Sequence, residues 1–218
     1  MRLEKMDAFF EARLVGYEEH MLKNIDSAEV FYPFTAEQLP AFPEAAVLDL
    51  GCGTGLELRW YYEKNPTAQI TGIDLSAGML DALRETYGEK EPKLICGSYF
   101  DVPFGENCFD AAVSVESLHH FTQVQKVPLY AKLYRSLMPG GYFVLTDYFA
   151  LSEEEERLHR QTLETLKKEQ GLREEDFYHY DTPLTVAHEM QALKTAGFQT
   201  VEILGFWGAT HTLKAVKL

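Results

Sequence analysis

Short apolar runs of strand length alternate with longer segments that carry apolar residues at helical spacing through most of the chain. This alternation is typical of a parallel sheet with helices on both of its faces. On this basis we predict strands over 46–50, 70–74, 93–96, 111–115 and 142–146. Helices are predicted over about 56–65, 77–87 and 122–137, and a capping box of Thr122 and Gln125 opens the last of these.

Both ends of the chain depart from the alternation. Residues 3–21 are predicted to be helical, and 31–34 are predicted to form a turn. Further helices are predicted over 153–170 and over 184–196, where Gly197 ends the second one. The last two predicted strands, 200–206 and 210–217, are joined by a turn too short for a crossover. The pattern therefore predicts a single α/β domain that ends in an antiparallel hairpin.

Composition and charge narrow the class of protein. The chain has 218 residues, of which 46% are hydrophobic, so one core needs no disulfide or structural metal. Its three cysteines form no C-x-x-C pair, and no run reaches the roughly 18 apolar residues of a membrane span. A net charge of −14, without a basic cluster, disfavours nucleic acid as a partner. We therefore expect a cytoplasmic protein that acts on neither membranes nor nucleic acids.

A glycine loop is the most informative motif. Gly51, Gly53 and Gly55 stand directly after a predicted buried strand and before a helix, where the backbone must turn sharply and approach a ligand. The dinucleotide fingerprint requires glycine at position 56, which is Leu here, and Asp49 would face the pyrophosphate of such a ligand. A ligand with ammonium and sulfonium groups, such as S-adenosylmethionine, removes this conflict. A tight turn without any ligand is the structural alternative.

Asp74 supports the same kind of ligand. It ends the second predicted strand, where the acid of a nucleotide-binding fold accepts hydrogen bonds from both ribose hydroxyls. The alternative is that Asp74 caps the next helix, although Ser76 can serve as that cap.

Five motifs occur in order across residues 44–146. They are 49–55, 72–76 with Met79, 97–104, 109–120 and 137–141. With them the chain resembles the class I S-adenosylmethionine-dependent methyltransferases, in particular the small-molecule branch similar to ubiquinone and menaquinone biosynthesis methyltransferases. The resemblance implies a Rossmann-like, seven-stranded, mostly parallel sheet with a C-terminal antiparallel hairpin and helices on both faces. It also implies S-adenosylmethionine as cofactor and S-adenosylhomocysteine as product.

The resemblance also divides the single domain and assigns cofactor residues. The divisions are an N-terminal helical lid (1–43), a cofactor-binding core (44–146), an insertion that forms the acceptor region (147–183), and a C-terminal helix and hairpin (184–218). The cofactor residues are Asp49, Gly51, Cys52, Gly53, Gly55, Asp74, Leu75, Met79, Ser98, Tyr99 and Val115. Many relatives carry Asp-Ala after the glycine equivalent to Gly97, with the Asp on the adenine amine. Here Ser98 and nearby backbone are assigned to adenine instead.

The methyl acceptor should lie beyond the end of the fourth strand, because open α/β sheets bind ligands at the carboxyl ends of their strands. Glu116, His119 and His120 follow that strand and are candidates for a general base or an acceptor anchor. Adjacent histidines entering a helix point about 100° apart, so at most one is expected to face the ligand. No metal site is predicted, because adjacent histidines lack the one-turn spacing that brings two ligands to one helical face.

Tyrosines in irregular segments are candidates for the acceptor pocket. Relatives build this pocket from an N-terminal lid and an insertion after the fifth strand, which implies Tyr17, Tyr32, Tyr148 and Tyr180 as its walls. The family's Asn/Asp-Pro-Pro-Tyr motif for methylating DNA amino groups is absent. The sequence therefore predicts in-line methyl transfer to a small-molecule acceptor by a monomer or homodimer. The alternatives are a regulatory protein that binds S-adenosylmethionine without methyl transfer, and an enzyme that does other chemistry on this cofactor; a nicotinamide dehydrogenase is disfavoured.

Overall fold

One mixed sheet organises the chain in the computed structural model, which describes residues 1–173 and 176–218. Its seven strands are β1 (Ala46–Leu50), β2 (Gln69–Asp74), β3 (Lys93–Cys96), β4 (Phe109–Val115), β5 (Leu137–Tyr148), β6 (Thr200–Trp207) and β7 (Thr210–Val216). They lie in the order β3-β2-β1-β4-β5-β7-β6. Strands β1 to β5 are parallel, whereas β7 is antiparallel to both β5 and β6. The predicted fold class is confirmed.

Eight α-helices accompany this sheet in the described residues. They are α1 (Met6–Glu11), α2 (Tyr17–Asn24), α3 (Ala28–Glu37), α4 (Leu58–Lys64), α5 (Ala77–Tyr87), α6 (Gln123–Ser136), α7 (Glu153–Glu169) and α8 (Val186–Thr195). The Thr122 and Gln125 capping box is present at the start of α6. Helix α5 and strand β3 have the bounds that the pattern predicts.

The N-terminal predictions are corrected in two places. Residues 3–21 do not form one helical segment, because a turn that includes Gly16, with φ +79°, separates α1 from α2. Residues 31–34 are not a turn but lie inside α3, which includes Pro33. Proline removes one backbone donor from the helix. Complete burial of Phe31 and near-complete burial of Tyr32 offset that loss.

The two faces of the sheet carry separate apolar layers. On one face Leu48 and Leu50 pack with residues of α6 and α8, among them Leu133 and Leu193. On the other face Val47 packs with residues of α3, α4 and α5. Adjacent strand residues point to opposite faces, so burial on both sides explains the continuous apolar runs of the central strands.

The order of the strands places the loops that matter for function. Strand β1 lies between β2 and β4, so the connection after β1 runs to one side of it and the connection after β3 returns to its other side. Ligands bind at such a switch point, beyond the carboxyl ends of the strands. The glycine loop, Asp74 and the segment after Val115 therefore lie at one edge of the sheet. Asp147 joins them, because Thr146 pairs with Val115 in the β4/β5 ladder.

No helix within residues 1–173 and 176–218 has the length and apolar character needed to cross a membrane.

Candidate functional site

The three glycines of the loop adopt left-handed backbone conformations, with φ of +73° at Gly51, +49° at Gly53 and +75° at Gly55. They serve different purposes. A Cβ on Gly51 would lie 2.1 Å from the Ser117 hydroxyl oxygen, and one on Gly55 would press on buried Leu83. At Gly53 no described atom lies within 4 Å of the Cβ position. The backbone at Gly53 is therefore open to a ligand, whereas its neighbours permit close packing of the loop.

Asp74 links the loop after β1 to the loop after β2. Its Oδ2 accepts a hydrogen bond of 2.9 Å from Gly53 N, and its Oδ1 accepts one of 2.8 Å from Ser76 N. The Ser76 hydroxyl, not Asp74, caps α5 through Met79 N. Burial raises the pKa of Asp74. Because each carboxylate oxygen accepts two hydrogen bonds, Asp74 keeps acceptor capacity toward a ligand.

A cleft lies over these groups, and we call it the cofactor cleft. Its walls are Met6, Phe10, Tyr17, Gly51, Gly53, Asp74, Leu75, Met79, Tyr99, Val115, Glu116, Ser117 and His120. The walls include two carboxylates and no lysine or arginine among the described residues. Such a lining offers no cation to a pyrophosphate and suits a cationic ligand better.

Four of the residues predicted to bind the cofactor do not line this cleft. Cys52 is buried beneath the loop against Gly72, and Gly55 packs on Leu83. The Ser98 hydroxyl accepts a hydrogen bond from Phe100 N, in a local turn.

Asp49 is the fourth predicted cofactor residue that does not line the cleft, and the residue is only 1% exposed. Burial and the adjacent Glu57 carboxyl raise the pKa of Asp49 well above its ordinary value, and burial also raises the pKa of Glu57. Asp49 Oδ2 and Glu57 Oε1 are buried and have no hydrogen-bond partner among the described residues. Two like charges so close and so deeply buried repel each other, so we expect the pair to hold a proton at neutral pH. The sequence predicts that Asp49 faces the ligand, but in the structure its carboxyl is buried and does not line the cofactor cleft.

A second, larger cavity of about 750 Å³ adjoins the cofactor cleft, and we call it the acceptor cavity. Its walls are Phe9, Phe10, Ala12, Arg13, Val15, Gly16, Tyr17, His20, Met21, Ile25, Glu116, His119, His120, Tyr148, His179 and Asp181. Phe10, Tyr17, Glu116 and His120 line both spaces. The two spaces therefore meet at the end of β4.

The N-terminal helices and the segment after β5 enclose this cavity together. Lys5 forms a β-bridge with Tyr178, and Met6 N donates a hydrogen bond of 3.1 Å to the Phe177 carbonyl. Of the four tyrosines predicted to bind the acceptor, Tyr17 and Tyr148 lie in the wall of this cavity. Tyr32 is instead buried in the core near Trp60, and Tyr180 lies beside His159, outside the lining.

Glu116 stands at the junction in a strained backbone conformation, with φ +49°. Its Oε1 is buried and has no hydrogen-bond partner among the described residues. Burial, followed by the charge of Asp147, raises the pKa of Glu116 to about 8. A non-glycine residue in this conformation, with an unsatisfied carboxyl, is typical of a functional position.

His119 is held by Asp147. Its Nδ1 lies 2.5 Å from Asp147 Oδ1, while Asp147 Oδ2 accepts hydrogen bonds from the backbone N–H groups of Leu118 and His119. Although burial opposes the charged imidazole, Asp147 raises the pKa of His119 to about 9. Burial and the neighbouring His119 lower the pKa of His120.

Sequence reasoning missed two acids of this site, Asp147 and Asp181. Asp147 had a usable signal, because it lies at the carboxyl end of a strand predicted beside β4. Asp181 had no such signal, because it lies in an irregular segment. In the structure its Oδ1 is 3.1 Å from His120 Nδ1 and 3.6 Å from His119 Nε2.

Comparisons with known proteins identify methyltransferases as relatives of this chain. A family model described as "Methyltransferase domain" matches residues 48–145. A carboxy-S-adenosyl-L-methionine synthase from Trichodesmium erythraeum is 30% identical over 182 residues, which cover 74% of this chain and 68% of that protein. A malonyl-[acyl-carrier protein] O-methyltransferase from Priestia megaterium is 31% identical over 105 residues, which cover 48% of this chain and 37% of that protein.

The fold is also shared with a solved structure. Human N-acetylserotonin methyltransferase in complex with SAM is 18% identical, with a TM-score of 0.66, and the match covers 95% of this chain and 56% of that one. This chain spans only 33% to 42% of the length of three curated relatives. Since the synthase shares 30% identity over two thirds of its length, and the domain model spans the cleft-forming strands, this chain belongs to the class I S-adenosylmethionine-dependent methyltransferases, whose cofactor is S-adenosylmethionine.

Proposed function

We propose that this protein transfers the methyl group of S-adenosylmethionine to a small-molecule acceptor bound in the acceptor cavity. The observation that carries the proposal is the junction of the two spaces at Phe10, Tyr17, Glu116 and His120. Methyl transfer requires that donor and acceptor meet in line, and a shared wall between two cavities permits this.

The residues of the cleft fit the cofactor. Gly53 leaves its backbone open, Asp74 offers acceptors for ribose hydroxyls, and the lining suits positive charge. When bound there, S-adenosylmethionine supplies a methyl group activated by the sulfonium. Phe10 and Tyr17 lie across the junction and exclude water from the reacting groups.

Glu116 is the residue we assign to the acceptor's proton or polar group. It lines both spaces, and its Oε1 is free to accept a hydrogen bond. A carboxylate there either removes a proton from an oxygen or nitrogen nucleophile or holds its N–H or O–H in place. His119 and His120 line the acceptor cavity as well and add polar groups to its wall.

A second candidate is other chemistry on the cofactor. The 30% identity with a carboxy-S-adenosyl-L-methionine synthase supports it, since that protein's name describes modification of the cofactor itself. The two functions can be distinguished by an isotope label placed in the methyl group of S-adenosylmethionine. Transfer leaves the label on an acceptor and yields S-adenosylhomocysteine, whereas modification keeps the label on the sulfonium product.

The test uses purified protein, S-adenosylmethionine labelled in its methyl group, and fractions of a small-molecule extract. We expect label in one acceptor fraction and an equal amount of S-adenosylhomocysteine. A Glu116→Gln protein should give little of either, and a Glu63→Gln protein, altered at an exposed site on α4, should match the parent. Label confined to a new sulfonium compound would favour the second candidate. Cofactor binding without conversion of any fraction would favour a regulatory protein.

The remaining predictions belong to the same proposal. They are a cytoplasmic location, a small molecule as partner with neither nucleic acid nor membrane, a monomeric or homodimeric state, and the division of the domain at residues 43, 146 and 183.

A further inference from the structure

Three side-chain donor atoms converge on the wall of the acceptor cavity. Asp181 Oδ1 lies 3.1 Å from His120 Nδ1 and 3.6 Å from His119 Nε2, and the three atoms lie within 4.8 Å of one another. Ligands about 2.0–2.2 Å from a tetrahedral zinc ion are separated by about 3.3–3.6 Å. The donor separations are therefore close to those that a coordinated ion requires.

The conformation of the chain explains why adjacent histidines can share an ion. Leu118–His120 form a short 3-10 turn rather than the start of an α-helix, and the two imidazole rings lie 4.1 Å apart between centroids. Two ligands on an α-helix must lie one turn apart to share a face, but adjacent residues in a 3-10 turn are not bound by that spacing. Thr182 N donates a hydrogen bond of 2.8 Å to the His119 carbonyl and fixes Asp181 beside the pair.

Asp147 gives His119 the arrangement of a metal ligand. Metal-binding histidines donate their second ring N–H to a carboxylate or carbonyl, which fixes the tautomer and the ring orientation. Asp147 accepts from His119 Nδ1 and is itself held by the backbone N–H groups of Leu118 and His119. Nε2 is thereby left as the atom that faces Asp181.

The ring nitrogen Nδ1 of His120 is a second feature that points to a bound ion. The residue is 6% exposed, and its Nδ1 has no hydrogen-bond partner among the described residues. The carboxylate of Asp181 is within ion-pair distance, but its direction from the ring does not make a hydrogen bond. His120 Nδ1 therefore has an ion-pair contact but no aligned hydrogen bond, and an ion coordinated between the imidazole and the carboxylate would satisfy both groups.

We propose that His119 Nε2, His120 Nδ1 and Asp181 bind a divalent first-row transition-metal ion. Two imidazoles and one carboxylate form a donor set that suits zinc or iron rather than magnesium or calcium. With three protein ligands the ion keeps a coordination position open, and the cluster lines the acceptor cavity. An acceptor that binds the ion through oxygen is then favoured; this last step rests on the proposed function, whereas metal binding does not.

Metal binding is tested without cofactor or acceptor. Metal-free protein is titrated with Zn²⁺ by calorimetry and with Co²⁺ by visible absorption, which reports tetrahedral coordination. We expect one ion per chain. Asp181→Asn and His120→Ala should weaken Zn²⁺ binding at least 10-fold and remove the Co²⁺ bands, whereas His20→Ala, altered in the same cavity but outside the cluster, should bind normally.

Two outcomes would overturn the proposal. One is the absence of stoichiometric binding by the parent protein, and the other is binding that Asp181→Asn and His120→Ala leave unchanged. Asp181 is 40% exposed in its side chain, so the Asn variant should fold, and circular dichroism verifies this. Failure of methyl transfer in a protein that binds one ion would contradict the proposed function and leave the metal site supported.

Discussion

Gly53 donates its backbone N–H to the carboxylate of Asp74 across 2.9 Å. The glycine loop after β1 and the acid at the end of β2 are therefore one structural unit before any ligand arrives. A ligand that contacts either residue meets a preformed surface, which lowers the entropy lost on binding.

Replacement of Asp74 by Ala should weaken S-adenosylmethionine binding. The loss of hydrogen bonds to a charged group amounts to about 1.5–3 kcal/mol, or about 10- to 150-fold in Kd. Calorimetry measures this, with Asp81→Ala on the exposed side of α5 as the matched control. Unchanged affinity in a folded Asp74→Ala protein would remove Asp74 from the site.

Replacement of Gly53 by Val should abolish cofactor binding and leave the domain folded. The Cβ position of Gly53 is free of protein atoms, so the new side chain would extend into the cleft without a clash in the core. Valine at position 53 also lowers the stability of the fold through backbone strain at φ +49°. Gly171→Val, at φ +62° in the turn after α7, reproduces that strain away from the cleft. Circular dichroism and calorimetry should show two folded proteins, of which only Gly171→Val binds. Retained binding by Gly53→Val would contradict an open backbone approach there.

The sheet was predictable because its strands are buried on both faces and punctuated by glycine and proline. The bounds of β1, β3 and α5 agree with the pattern. Helix α3 was not predictable locally, since Pro33 within an aromatic run is typical of a turn. Burial of Phe31 and Tyr32 decides its conformation, and burial arises only from tertiary packing.

The cofactor cleft was also more predictable than the acceptor cavity. Gly53 and Asp74 follow two neighbouring strands, so local sequence places them together. Asp181 and His119 are distant in sequence and meet through an irregular segment that has no periodic signal. Asp49 does not line the cleft although its place in the sequence suggested that it would, because Glu57 packs over its carboxyl, and no sequence pattern placed Glu57 beside it.

Replacement of Glu116 by Gln should lower kcat about 100-fold or more if Glu116 acts as general base, with little change in cofactor affinity. The substitution keeps the shape of the side chain and removes its ability to accept a proton. Single-turnover rates with the identified acceptor measure the effect, and Glu63→Gln is the exposed control. A full rate in Glu116→Gln would leave orientation of the acceptor to the histidines.

The shared proton of Asp49 and Glu57 should make stability pH-dependent. The folded-state pKa of Asp49 is raised by burial, by Glu57 and by Asp74, so the native state binds more protons than the unfolded state above pH of about 4. The free energy of unfolding should therefore fall as pH rises through this window, by up to about 1.4 kcal/mol per pH unit for one proton.

Asp49→Asn removes that proton and offers Glu57 an amide donor in its place. Denaturant titrations from pH 4 to 8 should show a flatter profile and a higher free energy of unfolding near neutrality. Asp81→Asn should keep the parent profile. Identical slopes in the parent and Asp49→Asn proteins would refute the shared proton.

Glu11 should act as a latch between the N-terminal lid and the wall of the cofactor cleft. Its Oε2 accepts hydrogen bonds from the Ser76 hydroxyl, at 2.6 Å, and from Gly78 N, at 3.1 Å, at the start of α5. Met6 and Phe10 of the same helix line the cleft, so bound S-adenosylmethionine should hold α1 in place.

We expect the cofactor to slow trypsin cleavage after Arg13, in the turn that precedes α2, and to leave cleavage after Arg157 on α7 unchanged. Glu11→Ala should speed the first cleavage and weaken cofactor binding about 5-fold, the equivalent of about 1 kcal/mol for a partly exposed hydrogen bond, whereas Glu18→Ala on α2 should do neither. Equal cleavage after Arg13 with and without cofactor would show that α1 is not a lid.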